Sequence, residues 1–304
     1  MSLLVVGSIG LDTIQTPFSQ IEDAIGGTAV FCGVTASYFT GVNLVGVVGE
    51  DFPRAELEYF RRRHIDLSGL EIKPGKSFRW GAKYHLDLNT RETLFTHLNV
   101  FETFKPKIPE KYRDTPFVFL GNIGPDLQLD VLDQVRHPKL VALDTMNYWI
   151  EGAPEALARV LKRIDVLLVN DSEARLLARE PNLVKAARQI RDLGPRIIII
   201  KKGEHGAVMI SGDQFFWAPA FPLENAFDPT GAGDTFAGGF MGFIAKAGKF
   251  DDATLRQAVV YGSTFASFCV ERFSLERIRD LSWEEIHQRF AEFQTMTGFT
   301  RPWE

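Results

Sequence analysis

The 304-residue chain is predicted to be an α/β protein. It should hold a doubly wound, mostly parallel sheet flanked by helices, with a small lid of β-strands, in a single domain spanning 1–304. Three observations predict this. Short, continuous apolar runs alternate with helical patterns, as strands buried on both faces require. Each run ends in polar residues, so one edge of the sheet collects ligand-binding groups. Between about residues 70 and 104 the pattern changes to apolar–polar alternation, the mark of strands with one solvated face.

In chain order, 3–6 is the first strand and ends in Gly7-Ser8-Ile9-Gly10-Leu11-Asp12. Gly26-Gly27 precedes a helix over 28–39, then a strand at 43–48 and a helix at 55–64. Phe78, Trp80, Ala82 and Tyr84 alternate with polar or small residues, as do Leu94, Thr96 and Leu98. Asp87-Leu88-Asn89-Thr90 is the turn between them. These segments predict antiparallel lid strands over about 70–104, joined in space by 13–25. Such a lid excludes water from the chemistry.

From Pro116 onward strands and helices alternate. Strand 117–120 ends in Gly121-Asn122, and strand 140–143 ends in Asp144. Strand 166–169 ends in Asn170-Asp171-Ser172-Glu173, and strand 196–200 ends in Lys201-Lys202-Gly203-Glu204-His205-Gly206. A hairpin over 207–217 follows. Helices are predicted at 234–247, 251–270 and 282–294.

Composition narrows the function. The formal charge is −5 with acids and bases interspersed, so no basic tract points to nucleic acid or an anionic membrane. Cys32 and Cys269 lie in apolar contexts without metal-ligand spacing, which predicts buried thiols in a reducing, cytoplasmic setting. No apolar run reaches membrane-spanning length. Pro74-Gly75-Lys76-Ser77 imitates the end of a P-loop, but the required earlier glycine is replaced by Leu70. No G-x-G-x-x-G occurs.

The most informative stretch is Asn225-Ala-Phe-Asp-Pro-Thr-Gly-Ala-Gly-Asp-Thr-Phe-Ala-Gly-Gly-Phe240. Asp228-Pro229-Thr230 is a turn. Gly231-Ala232-Gly233 lets the backbone approach a ligand and aim successive N–H groups one way. Asp234 opens an apolar helix, whose N-terminus is an anion site. A carboxylate beside bound phosphate adds repulsion, so its use there is as a general base for an attacking alcohol. The plainer alternative is an acid that complements the helix dipole.

This string closely resembles the C-terminal signature of the PfkB carbohydrate kinases, the ribokinase-like superfamily. The resemblance implies a ribokinase-like fold, Asp234 as catalytic base, and Gly231, Ala232 and Gly233 as an anion hole. It implies Asp228 and Thr230 near a monovalent cation such as K⁺. Gly-Ser-Ile-x-x-Asp at 7–12 and Gly26-Gly27 resemble the family's N-terminal elements, which puts Asp12, Gly26, Gly27 and Thr28 on the substrate. Phe31 stands where members that bind furanose sugars usually carry Asn, and offers an apolar face to substrate. Gly10 stands where ribokinases often have Asn. Asn122 completes the substrate set.

The resemblance also places Asn170, Glu173, Lys201, Lys202, Gly203, Gly206, Gly262 and Ser263 around ATP, with Glu173 holding Mg²⁺ through water. Which of Lys201 and Lys202 faces the phosphates stays open. The expectation is therefore an ATP- and Mg²⁺-dependent kinase acting on a hydroxyl of a small polyhydroxylated substrate, with a homodimer through the lid. A nucleoside kinase, a cyclitol kinase and a catalytically silent sugar- or nucleotide-binding regulator are the alternatives.

Overall fold

A computed structural model describes residues 1–298 of the chain. Strand β1 (Ser2–Val6) is followed by β2 (Gly10–Gln15), β3 (Gln20–Gly26), helix α1 (Thr28–Ala36), β4 (Gly41–Gly49), α2 (Arg54–Arg62), β5 (Ile65–Lys73), β6 (Phe78–Tyr84) and β7 (Arg91–His97). Then come β8 (Phe117–Leu120), α3 (Pro125–Gln134), β9 (Leu140–Asp144), α4 (Asn147–Gly152), α5 (Pro154–Leu161), β10 (Val166–Asn170), α6 (Asp171–Ala178), α7 (Leu183–Asp192) and β11 (Ile197–Lys201). The chain continues through β12 (Ala207–Ser211), β13 (Gln214–Ala218), α8 (Ala232–Ala247), α9 (Asp252–Cys269) and α10 (Trp283–Thr297).

Nine strands make the main sheet, in the order β13-β12-β11-β10-β9-β8-β1-β4-β5. From β11 to β5 all neighbours are parallel, and the β11–β12–β13 end is antiparallel. Strand parity divides the core in two. Leu3, Val5, Leu140, Ala142, Ile197 and Ile199 join the layer with α1, α2, α8 and α9. Leu4, Val6, Val141, Leu143, Ile198 and Ile200 join the layer with α3, α5, α6 and α7. This two-sided burial is the reason the strands read as continuous apolar runs.

Helices α1 and α8 meet backbone to backbone. A Cβ on Gly238 would stand 2.5 Å from the Cys32 carbonyl oxygen, and one on Gly242 would stand 2.8 Å from Cα of Ala36. No side chain beyond glycine fits this crossing.

A second sheet has the order β3-β2-β6-β7. It differs from the expected lid in two ways. Residues 70–73 are not part of it, because β5 is paired with β4 in the main sheet. Its central pair, β2 and β6, is parallel rather than antiparallel. Parity within a hairpin-rich segment does not reveal that β2 inserts beside β6 from 68 residues earlier, Gly10 opposite Phe78. Gly10 is forced here by β6, since a Cβ would lie 2.5 Å from the Phe78 carbonyl oxygen.

This sheet reaches the carboxyl edge of the main sheet at several points, one of them the ion pair of Arg79 with Asp51 just beyond β4. Thr230 Oγ1 donates to the Tyr84 hydroxyl at 3.2 Å. The β6–β7 turn lies so close to the β11 loop that a Cβ on Gly203 would be 2.5 Å from Asn89 Oδ1.

Candidate active site

Parity also builds the cleft. Asp144 continues the 140, 142 series of β9, and Lys201 continues the 197, 199 series of β11, so both point to the α8 side. Lys201 Nζ lies 3.4 Å from Asp144 Oδ2. Gly233 allows the lysine in, since a Cβ there would stand 2.9 Å from Nζ. Of the two lysines, Lys201 is therefore the one that faces the cleft. Lys202 has the opposite parity and turns away, with Nζ 4.7 Å above the Trp217 ring.

Gly231 is the N-cap of α8 with φ 75°, and Asp234 lies in the helix's first turn. The Ala232 N–H donates to the Pro229 carbonyl at 3.2 Å, and the Thr235 N–H donates to Gly231 at 2.8 Å. Of the three residues expected to form the anion hole, Ala232 is thus the one whose amide is already engaged. Burial lifts the pKa of Asp234 to about 7, reinforced by the charge of Asp144 and opposed by Lys201 and a hydrogen bond from Thr28. Glu173 rises to about 7 for the same leading reason, burial, with Asp144 adding to it.

Burial raises Asp144 too, outweighing the nearby Lys201 ammonium. Burial works against the charge on Lys201, and the carboxylates of Asp144, Glu173 and Asp234 overcome it. The cluster is short of positive charge: three acids share one lysine.

The opposite wall comes from the β1–α1 region. Gly27, φ 100°, starts α1 with no room for a Cβ beside the Ser8 carbonyl. The Thr28 N–H donates to Ser8 Oγ at 3.2 Å. Gly26 has a sharper reason: a Cβ would come within 1.9 Å of Asp12 Oδ2. Asp12 is buried and pushed up to about 8, chiefly by burial and then by Asp228 and Asp234.

Several expected residues have other surroundings. Phe31 does not face the cleft. It is 1% exposed, and its ring packs under Gly231 so closely that a Cβ there would be 2.5 Å away. An apolar ring four residues into a buried helix is drawn to the core before it is drawn to a ligand. Gly262 is also used in packing, with its Cα side 2.9 Å from the Phe236 carbonyl if a Cβ were added, and neighbouring Ser263 is buried with it in α9.

Asn170 and Glu173 form a reciprocal capping box on α6. The Glu173 N–H donates to Asn170 Oδ1 and the Asn170 N–H to Glu173 Oε2, both at 2.8 Å. Asn122 accepts from Trp149 Nε1 at 3.0 Å. Gly206, φ 88°, closes the β11 loop by accepting from the Lys202 N–H at 2.7 Å.

Asp228 is 1% exposed. Its Oδ1 accepts from the Thr230 N–H at 2.8 Å and its Oδ2 from the Ser274 N–H at 3.4 Å. Burial raises its pKa against these bonds. No group of three or more His, Cys, Asp or Glu among the described residues is arranged to hold a metal by itself.

The sequence reading gave no role to Asp144, Ser8, Tyr84 or Arg91. Asp144 was findable, since it ends a strand with the same parity as Lys201. Tyr84 and Arg91 reach the cleft only through the placement of the second sheet, which no local pattern encodes.

A doubly wound sheet with a glycine-capped helix, a buried lysine and a carboxylate facing one cleft defines a class of phosphotransferases acting on hydroxyl groups. The chain belongs to the pfkB family of carbohydrate kinases, whose sequence profile matches residues 11–278. It is similar to the cytidine kinase of Thermococcus kodakarensis, 29% identical over 258 residues that cover 83% of this chain and 91% of the relative. It is 34% identical over 270 residues to the aminoimidazole riboside kinase of Salmonella typhimurium, covering 84% of each. Among solved structures, the nucleoside kinase of Methanocaldococcus jannaschii, a member of the ribokinase family, superposes with a TM-score of 0.77 at 20% identity over 96% of this chain and 98% of that one. The enzyme is accordingly an ATP-using kinase with a ribokinase-like fold. Among the described residues no helix is long and apolar enough to cross a membrane.

Proposed function

We propose that the protein transfers the γ-phosphate of ATP to a hydroxyl of a ribose-bearing small molecule, a nucleoside above all, with Asp234 as general base. The observation that carries this reading is the environment of Asp234: a carboxyl held near pH 7 at the N-terminus of α8, bonded by Thr28 and facing Lys201. In the reaction the substrate oxygen bonds to the γ-phosphorus, the bond from that phosphorus to the ADP oxygen breaks, and the hydroxyl proton passes to Asp234. The amides of Gly231 and Gly233, together with Lys201, hold the phosphate oxygens as charge shifts. Asp12, set by Gly26 and Gly27, accepts from the other substrate hydroxyls.

The nucleoside is favoured over a free sugar by Trp80, the register neighbour of Asp12 on the second sheet, which supplies an aromatic ring able to stack a base. The cytidine and riboside acceptors named for two relatives agree with this.

Mg²⁺ suits the site as a passenger of the nucleotide. Glu173 has one oxygen engaged by the Asn170 N–H, which leaves the other for a metal-bound water. It would offset phosphate charge. Asp228 is a buried carboxylate served only by neutral donors, which suits K⁺ beside Thr230. The second sheet acts as a lid, and a homodimer would cover its exposed Leu86 and Leu94. Cys32 and Cys269, free and buried, suit the cytoplasm.

The test is ADP release with Mg-ATP and K⁺ against nucleosides, pentoses, hexoses and cyclitols, beside Asp234→Asn. Turnover on nucleosides that falls at least about 10²-fold in the variant supports the proposal. Turnover confined to free sugars or cyclitols removes the nucleoside, and turnover that survives in Asp234→Asn removes the base. Tight ligand binding without transfer points to a silent regulator.

A further inference from the structure

We infer that Arg91, on the edge strand of the second sheet, is a phosphate-binding residue that the lid delivers to the γ-phosphate of ATP. The inference rests on the kinase reading above.

Three placements carry it. First, Arg91 is the cross-strand partner of Tyr84, and directly opposed residues of an antiparallel pair project from the same face. That face is the inner one, since Tyr84 is 5% exposed and its hydroxyl accepts from Thr230 in the signature turn. Second, the guanidinium carbon lies 5.5 Å from the Trp80 ring centroid, and Trp80 is the partner of Asp12. The arginine is thus held against the inner wall of the lid. Third, the turn preceding Arg91 rests on the β11 loop through Asn89 and Gly203, so the strand begins beside the expected nucleotide phosphates.

Charge supplies the reason. Asp144, Glu173 and Asp234 face one buried cation, Lys201. A nucleotide adds several negative charges to that space. Arg91 lowers the pKa of both Asp234 and Glu173, so its charge reaches both of these cleft carboxyls. Lys201 is held by Asp144 at 3.4 Å, whereas Arg91, among the described residues, is in ion-pair contact with no carboxylate. An exposed guanidinium on the inner face, steadied by an aromatic ring and lacking an anion, suits bidentate recognition of phosphate oxygens. In the proposed reaction the transferring phosphate sits over Asp234, within reach of the charge of Arg91, so the lid arginine falls to that phosphate.

The test uses the full chain and three proteins: wild type, Arg91→Ala and Arg91→Lys. Calorimetric titration gives the affinity for Mg-ADP and for a non-hydrolysable Mg-ATP analogue, and steady-state assays give kcat and KM. A charge-assisted hydrogen bond to the γ-phosphate predicts that Arg91→Ala weakens the analogue by about 10-fold or more while ADP changes by less than about twofold. It also predicts a fall in kcat of about 10²-fold, partly restored in Arg91→Lys. An arginine that only props the lid would weaken both nucleotides alike. An equal loss on both, or no loss on the analogue, overturns the inference. Should the wild type transfer phosphate to no acceptor, the kinase reading fails, while the two titrations still decide the role of Arg91.

Discussion

Replacing Asp12 by Asn should make the protein more stable and less active, and the stability gain should depend on pH in a defined way. Asp12 is 5% exposed and its pKa rises from 3.8 to about 8, first by burial and then through Asp228 and Asp234. The folded protein therefore keeps a proton that the unfolded chain has released. Across the window from 3.8 to about 8, rising pH costs the folded state stability, and above that window the cost is constant. At pH 7 the ceiling on this penalty is on the order of 4 kcal/mol. Partial hydration of the buried carboxyl lowers the figure, and we expect a gain of about 2 kcal/mol in Asp12→Asn, or roughly 3 °C in Tm.

Asn has the shape of the acid and carries no charge, so the comparison isolates the titration. The assay is a set of thermal melts of both proteins at pH 5, 6, 7, 8 and 9. The gap in Tm should widen up to pH 8 and then level off, while kcat/KM for the substrate falls. A gap that is the same at every pH would refute the reasoning. So would a variant that melts below the wild type at pH 8.

Other expectations follow from the same geometry. Gly26→Ala places a Cβ 1.9 Å from Asp12 Oδ2 and must turn the carboxylate away, so substrate KM should rise about 10-fold or more with kcat less affected. In steady-state kinetics, an unchanged KM would remove Asp12 from substrate binding. Gly231→Ala combines φ 75° with a clash on the Phe31 ring and should cost about 2–4 kcal/mol by denaturant melt, with Phe31→Leu recovering part of it. Lys201→Met strands the buried Asp144 and should abolish turnover, whereas Lys202→Ala, which loses only the contact with Trp217, should stay within about threefold of wild type. Because Asp234 is raised to about 7, kcat/KM should climb with pH below that value as the base loses its proton, then flatten. A profile already flat from pH 5 would assign the base elsewhere.

The fold could be read from the chain because its main strands are buried on both faces and separated by helical periods, a pattern that leaves few topologies. The signature around Asp234 was legible because a turn, two glycines and an acid must be contiguous to build a helix-capped anion site. Phe31 and Gly262 were misjudged for one reason. A buried ring and a helix-crossing glycine look in sequence like ligand residues, and only the packing of α1, α8 and α9 reveals what they touch. Lys201 and Lys202 could not be separated without knowing which side of the sheet α8 covers. Arg91 was invisible, since nothing within β7 announces that its strand is carried back over the cleft.

The glycine crossing of α1 and α8 has a further consequence. In the proposed reaction Gly27 and Thr28 at the start of α1 would receive the acceptor, and Gly231 to Asp234 at the start of α8 the donor. The two helices touch through main-chain atoms at Gly238 and Gly242, so they behave as the fixed jaws of a caliper. On that proposal, the distance over which phosphate travels would be set by backbone contact and be indifferent to the side chains that choose the acceptor. The proposed choosers, Trp80 among them, sit on the second sheet rather than on α1 or α8. Such a layout lets acceptor preference drift by exchange of lid residues while the reacting distance stays constant, and it suggests where a redesign of specificity should begin and what it should leave alone.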